Sequence, residues 1–493
     1  MISRRRPTGA DTRRASRLAR GSLAILLAAS GCSALDSTVD SVTGTSGPAN
    51  GEPGFVSGFL GGVVADEPQA ALVARDVLSA GGTAADAAVA LGFALAVTLP
   101  SRAGLGGGGA CLAYSSRGRG PDKGVPQAVL FVPPAPAHPG AADRPAAVPM
   151  LARGLFALHA RYGNRQFESL IGPAEQMARF GVTASRALVR DLTVVAGPLA
   201  ADPGAASIFF PGGKPVAEGA QLLQPGLGAT LAQLRVAGVG DLYQGSLAHV
   251  LVSAGRDAGA GLSLEDLRTA LPKQLAALRL DAGTDTAAFL PPPADGGLAA
   301  AAAFQALRHD PTAVQAAGDR ALAVASRWRQ GGGDPVAVLA ASNLPGAAMP
   351  ALPASTTFAT LDRNGNAVVC ALTMNNLFGT GRVAAGTGIV LAASPAAQPP
   401  ALLSAGLLYN AHLDAFRAAV GGSGQAGAPL AAAVALAQAL ADTGAAAQPM
   451  PQPVPEPGRA NVIQCDQYLP GNSASCGWAT DPRGAGLALG SSR

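Results

Sequence analysis

The chain has 493 residues, 48% hydrophobic but only 4% aromatic and 13% charged, so it can bury a large core and is too weakly charged to be a disordered polyelectrolyte. The formal net charge of +4 is concentrated at the start: residues 1–20 hold seven arginines against Asp11, a local +6 that leaves −2 for the remainder. That balance offers no basic face for nucleic acid, and the five histidines are too scattered to suggest a metal or other cofactor.

In chain order, the basic start is followed by "GSLAILLAASGC", and residues 1–31 read as a signal peptide. The apolar run is too short to span a bilayer as a helix. "AASGC" resembles a bacterial lipoprotein box with Cys32 as the lipidated residue, although Ala29 stands where the usual Leu would be. The expectation is a lipid anchor at Cys32 and a place in the cell envelope, periplasmic or outer-membrane; plain secretion with Cys32 incidental is the alternative. Residues 32–54, rich in Ser, Thr and Gly, read as a flexible tether, and the folded body starts near Phe55.

Ala70, Val73, Ala74, Val77 and Leu78 have helical spacing, and Gly81-Gly82 ends that helix. Thr83 with Asp86 three residues on caps a second helix, nearly all apolar and therefore buried, which stops before Pro100. Gly104, Gly106 and Gly109 in "GLGGGGACLAY" formally satisfy G-x-G-x-x-G. Here a helix precedes and a strand follows, the inverse of a dinucleotide site, so no nucleotide is expected. The glycines instead allow close backbone approach. Helices are expected over 149–190 and after Ser263, which has Asp266 three residues on; "PPPADGGLAAAAAFQAL" reads as a proline-fixed loop leading into a small-residue helix. Residues 448–458 form a stiff proline-rich insertion. Cys465 and Cys476 share one polar loop and are expected to close a disulfide in an oxidising envelope, whereas Cys111 and Cys370 lie in apolar strand-like runs and are expected as buried thiols.

"STTFATLDRNGNAVVCALT", Ser355 to Thr373, reads as two strands around an Asn364-Gly365 hairpin turn. One register sets Ser355 across from Thr373; a turn tighter by one residue sets Thr356 there. Opposed residues have Cβ atoms about 4.5–5.5 Å apart, so their hydroxyls can hydrogen-bond. No histidine is near in sequence to activate a hydroxyl. Cleavage just before it would supply a base, its own α-amine, with a pKa of about 7.7–8.0.

From about Gly61 to Gly490 the chain resembles the γ-glutamyltranspeptidases, a family of N-terminal nucleophile (Ntn) hydrolases. The resemblance rests on ordered blocks: "GGTAADAAVALG", "GLGGGG", "PAEQMARFG", "LYQG", "PPPADGG", "NGNAVVCALTMNNLFGTG" and "DPRGAGLALG". It implies an α+β fold, an αββα four-layer sandwich with two antiparallel sheets between helical layers. It also implies a precursor that cuts itself into a large region, 55–354, and a small region, 355–493, which remain associated. Catalysis would proceed through an acyl-enzyme. The family's nucleophile segment T-T-H-[FY]-S-V-V-D-x-x-G-N, anchored on Phe358, Asp362, Gly365 and Asn366, sets its first Thr on Ser355; a one-residue deletion would set it on Thr356. The helper threonine falls on Thr373 and the substrate-binding Asn on Asn375. The oxyanion loop G-S-P-G-G is similar to "GSGQA", which includes Gly424 and Gln425.

The substrate pocket departs from that pattern. The family's carboxylate-binding Arg falls on Val132, its acidic stretch on Ala392 to Gln398, and its paired serines near Leu402-Leu403. Valine cannot make a bidentate pair with a carboxylate. Losing such contacts costs on the order of 1.5–3 kcal/mol each. The sequence thus implies a γ-glutamyltransferase-like hydrolase or acyltransferase for a small-molecule or peptide amide, with weakened γ-glutamyl recognition and a more apolar acyl group. The alternative is a catalytically degenerate lipoprotein that keeps the fold as a binding or structural module.

Overall fold

The computed structural model describes residues 60–116, 122–139, 142–350, 354–397, 399–442 and 451–490. The expected signal peptide, the tether and Cys32 lie outside the described residues. Strand β1 (Gly61–Ala65) leads into helix α1 (Pro68–Ser79), which starts where the Glu67 side chain accepts from Ala70 N and Pro68 supplies a preset φ. Helix α2 (Ala84–Thr98) begins at a reciprocal cap: Thr83 accepts from Asp86 N, and Asp86 accepts from Thr83 N. All fifteen of its residues are buried, as expected of a helix that is apolar nearly all round.

Strands β2 (Gly108–Tyr114) and β3 (Gln127–Phe131) follow, then helices α3 (Leu151–Tyr162), α4 (Phe167–Phe180) and α5 (Arg186–Ala200). After further helices come β4 (Lys273–Ala276), β5 (Leu278–Ala282), β6 (Asp285–Phe289), α6 (Asp295–His309) and α7 (Val314–Gly331). The hairpin is β7 (Ser355–Asp362) and β8 (Ala367–Thr373). The chain continues through β9 (Ser404–Asn410), β10 (Ala415–Ser423), α8 (Ala428–Ala441), β11 (Arg459–Leu469), β12 (Cys476–Thr480) and β13 (Leu487–Gly490).

One sheet has the order β13-β1-β7-β8-β2-β3-β4 and the other β12-β11-β10-β9-β6-β5; every pairing in both is antiparallel. Three apolar cores separate four layers. Leu112, Ala359, Leu361, Leu407 and Ile463 fill the space between the sheets. Cys111, Phe358 and Cys370 face α2 and its neighbours on one outer side, while Leu408 and Val420 face α6 and α8 on the other. The fold is therefore the αββα sandwich of two antiparallel sheets between helical layers. Strand alternation makes this possible: the central strands are buried on both faces and present alternate residues to two cores.

The regions before and after Ala354 are interleaved. The first sheet takes β1 to β4 from upstream and β7, β8 and β13 from downstream; the second takes β5 and β6 from upstream and β9 to β12 from downstream. Residues 57–493 accordingly form one compact unit. The cysteines depart from expectation at one pair: Cys111 and Cys370, expected as thiols, are joined by a disulfide, as are Cys465 and Cys476. The physical reason is register. Cys370 pairs directly with Cys111 across β8 and β2, and Cys465 pairs with Cys476 across β11 and β12.

Candidate active site

The hairpin takes the wider of the two registers: Leu361 pairs with Ala367 and Ser355 with Thr373. Directly paired residues share a face, so the Ser355 and Thr373 side chains both lie on the side of the sheet toward β9 and β10. Ser355 is 1% exposed and Thr373 1%. The Thr373 hydroxyl donates to the carbonyl oxygen of Ala354 at 2.7 Å, and Asn375 N donates to the same hydroxyl oxygen at 2.8 Å. The second bond orients the first: with its lone pair engaged by Asn375, the Thr373 proton points at the peptide bond between Ala354 and Ser355.

Asn375 holds a left-handed backbone, φ 62°. Its side-chain nitrogen donates to Ala393 O at 2.8 Å, while its Oδ1 is a buried acceptor without a partner among the described residues. Such an atom is costly unless a donor arrives. Thr356 is on the opposite face. Its hydroxyl donates to Asp66 Oδ2 at 3.0 Å, and Thr357 N donates to the same oxygen at 3.0 Å. Asn461 Nδ2 closes the network, reaching Asp66 Oδ1 at 2.9 Å and Thr357 Oγ1 at 3.0 Å.

The glycine loop before β2 approaches backbone. A Cβ at Gly107 would stand 2.3 Å from Thr373 O, which only glycine tolerates. The loop's side of the sheet also carries a charged pair: Arg102 grips Asp191 through Nε and Nη2, each at 2.7 Å, and Ser101 Oγ adds a third bond at 2.7 Å. Burial works against the Arg102 charge, but the Asp191 carboxylate outweighs it and the guanidinium pKa is raised. Nearby, burial raises the pKa of Glu67, against the hydrogen bond from Ala70 that lowers it.

A cleft of about 340 Å³ opens at Ala354. Asp66, Arg102, Arg190, Asp191, Glu456 and Arg459 contribute charge to its wall, and Val194, Leu377 and Ala485 contribute apolar surface. Its floor includes Ser423, Gly424 and Gln425. Gly424 has φ 101° and Gln425 φ 56°, a turn that ends β10 ahead of α8. Pro457 lies against this turn, and with Glu456 it makes the described part of the proline-rich stretch a wall of the cleft.

Val132 is half-buried against the core between the sheets and does not line the cleft. Ala392 is 0% exposed, Leu402 3% and Leu403 1%, all core positions; Gln398 lies outside the described residues. The cleft's arginines come from elements other than the one that bears Val132. Asp66, Asn461, Arg102 and Asp191 have no local motif that would single them out. Among the described residues no group of three or more His, Cys, Asp or Glu is placed to hold a metal ion.

A family model described as gamma-glutamyltranspeptidase matches residues 70–326. The chain is similar to the glutathione hydrolase proenzyme of Escherichia coli (strain K12), 27% identical over 386 residues, 67% of this chain and 65% of that protein. It is also similar to the acylase ACY 1 proenzyme of Pseudomonas sp. (strain SE83), 32% identical over 212 residues, 40% of this chain and 38% of that protein. The matches span between 36% and 65% of the curated relatives' own lengths. Among solved structures, the cephalosporin acylase from Bacillus halodurans aligns with a TM-score of 0.65 and 18% identity, covering 90% of this chain and 98% of that one; at that identity the likeness is of fold.

Proposed function

Because the chain belongs to the gamma-glutamyltranspeptidase family, we propose that it is an Ntn hydrolase that cuts itself between Ala354 and Ser355 and then hydrolyses or transfers an acyl group from an amide. The observation that carries this reading is the Thr373 hydroxyl donating to the Ala354 carbonyl, with Ser355 paired opposite Thr373.

In the first step the Ser355 Oγ attacks the Ala354 carbonyl carbon. Negative charge grows on Ala354 O, where the Thr373 proton already points. The Ala354–Ser355 C–N bond breaks, the hydroxyl proton moves to the departing nitrogen, and an ester links Ala354 to Ser355 Oγ. Water hydrolyses that ester, leaving a carboxylate on Ala354 and a free α-amine on Ser355. In the second step that amine accepts the Ser355 hydroxyl proton as Oγ attacks an acyl donor, and the leaving amine takes the proton away. Water or another amine then attacks the acyl-enzyme. The Gly424–Gln425 turn, which lines the same cleft as Ala354, is assigned the backbone donors of the oxyanion site, and Asn375 Oδ1, buried beside Thr373 and not lining the cleft, is assigned as an acceptor for a donor on the substrate.

The altered pocket supports a donor other than a simple γ-glutamyl amide. No arginine stands at Val132. Of the three cleft arginines, Arg102 is taken by Asp191 and Arg459 by Glu456 at 2.6 Å. Arg190 is exposed and, among the described residues, reaches only the Arg483 carbonyl, at 3.4 Å. We therefore assign Arg190 the role of meeting an anionic end on the acyl group. The two relatives named as proenzymes, one a glutathione hydrolase and one an acylase, agree with the coarser reading.

A denaturing gel with N-terminal sequencing tests the proposal. Two chains are expected after reduction, the smaller beginning Ser-Thr-Thr, and Ser355→Ala is expected to leave one. A single chain in the unaltered protein would instead favour a binding module that keeps the fold without the chemistry. A lipid anchor at Cys32 and an envelope location are part of the same proposal; mass spectrometry of the N-terminal peptide checks them.

A further inference from the structure

We infer that the Cys111–Cys370 disulfide joins the two parts of the cut molecule, so that the mature protein is one covalent two-chain species. This rests on the cleavage proposed above. Cys111 lies upstream of the Ala354–Ser355 bond and Cys370 downstream, with a sequence separation of 259. Cys465 and Cys476 both lie downstream, so their disulfide ties the small part only to itself.

The link sits where it matters. Cys370 is on β8, the strand that also carries Thr373, and Cys111 is its direct partner on β2. When Ser355 becomes a chain end, β7 loses its upstream covalent tie, but β8 stays fastened to the upstream part. Both cysteines are 0% exposed, in the core beneath α2. Exchange requires a thiolate to reach a sulfur, so a native molecule resists reduction until the sheet opens. Forming the bond takes two electrons and two protons from the thiol pair, accepted by a disulfide-bearing exchange partner. Dithiothreitol reverses it and ends as its own cyclic disulfide.

The consequence is kinetic. Before cleavage the disulfide closes a long loop; after cleavage it is a linker between chains. Linked chains stay at high effective concentration when unfolded, so recovery of the native state is unimolecular. Once the bond is reduced, the unfolded chains diffuse apart and recovery depends on concentration.

The experiment uses the full-chain protein from an oxidising compartment, thiol-blocked with N-ethylmaleimide, denatured, and run with and without dithiothreitol. The expected result is one band without reductant and two with it, unchanged in a Cys465→Ser/Cys476→Ser variant. In refolding, tenfold dilution is expected to leave recovery of the unreduced protein unchanged and to lower that of the reduced protein severalfold. Two bands without reductant would overturn the link while sustaining the cleavage. One band under both conditions would overturn the cleavage, and with it the two-chain species. In that event a non-reduced peptide map reads the bond separately: maleimide on Cys111 or Cys370 would refute it too, and a Cys111–Cys370 cross-linked peptide would sustain it alone.

Discussion

At the scale of single residues, the site turns on one proton. Thr373 offers it to Ala354 O, and Asn375 N fixes the direction. Removing one oxyanion donor typically costs about 10²–10³ in rate. Thr373→Ala is therefore expected to slow self-cleavage by about that factor in a pulse-chase gel, with Thr373→Ser close to normal. Glu67 gives a second residue-scale prediction. Burial raises its pKa above the ordinary 4.5. A folded-state pKa above the unfolded one adds stability that is fully present below the unfolded value and lost as pH rises through the folded value. Glu67→Gln keeps an acceptor for Ala70 N and removes the titration. Thermal unfolding of that variant is expected to fall less steeply with rising pH, beginning near 4.5, than that of the unaltered protein.

At the scale of elements, the glycine loop and α5 set the geometry that these residues use. Gly107 lets β2 close on β8 at Thr373. A methyl there meets backbone that cannot turn aside, so Gly107→Ala is expected to cost about 1–3 kcal/mol in denaturant unfolding and to slow cleavage by displacing Thr373. Helix α5 presents Ala187, Arg190, Asp191 and Val194 to the cleft, spaced i, i+3, i+4 and i+7 along one face. Asp191 anchors that face through Arg102, and Arg190 remains available. Because Arg190 is exposed, its contact with a carboxylate is screened and worth at most about 1 kcal/mol. Arg190→Met is thus expected to raise KM roughly fivefold for an anilide whose acyl group ends in a carboxylate. Little change is expected in kcat, or for an uncharged acyl group. Equal KM values for both donors in the unaltered protein would refute the role assigned to Arg190.

At the scale of the whole molecule, the proposed cut would fall inside shared sheets rather than between domains. Strand β7 starts at Ser355 and is flanked by β1, from upstream, and β8. Three apolar cores cross the same boundary. Separating the two parts would expose all three cores to water, at about 25 cal/mol per Å² of apolar area. The cut protein is expected to elute from size exclusion as one species under native conditions, even after exposure to dithiothreitol. Separation of the chains without denaturant would contradict the interleaved sheets. The disulfide matters only when those sheets are lost.

The sequence by itself determined what depends on neighbours along the chain. The Thr83 and Ser263 helix starts were legible because both capping boxes are closed within three residues. The hairpin was legible because Asn364-Gly365 marks the turn, but it left two registers open; the structure's pairing of Leu361 with Ala367 is what places Ser355 and Thr373 on one face. The ordered family blocks likewise pointed to the sandwich. What only the tertiary structure decided involves residues far apart in the chain. Asp66 meets Asn461 across 395 positions, and Cys111 meets Cys370 across 259. The cleft arginines come from the loop after α2, from α5 and from β11. Local propensity carries no information about such meetings, because they are set by strand order and sheet packing. Two apolar strand-like runs read alike whether their cysteines face each other or lie apart.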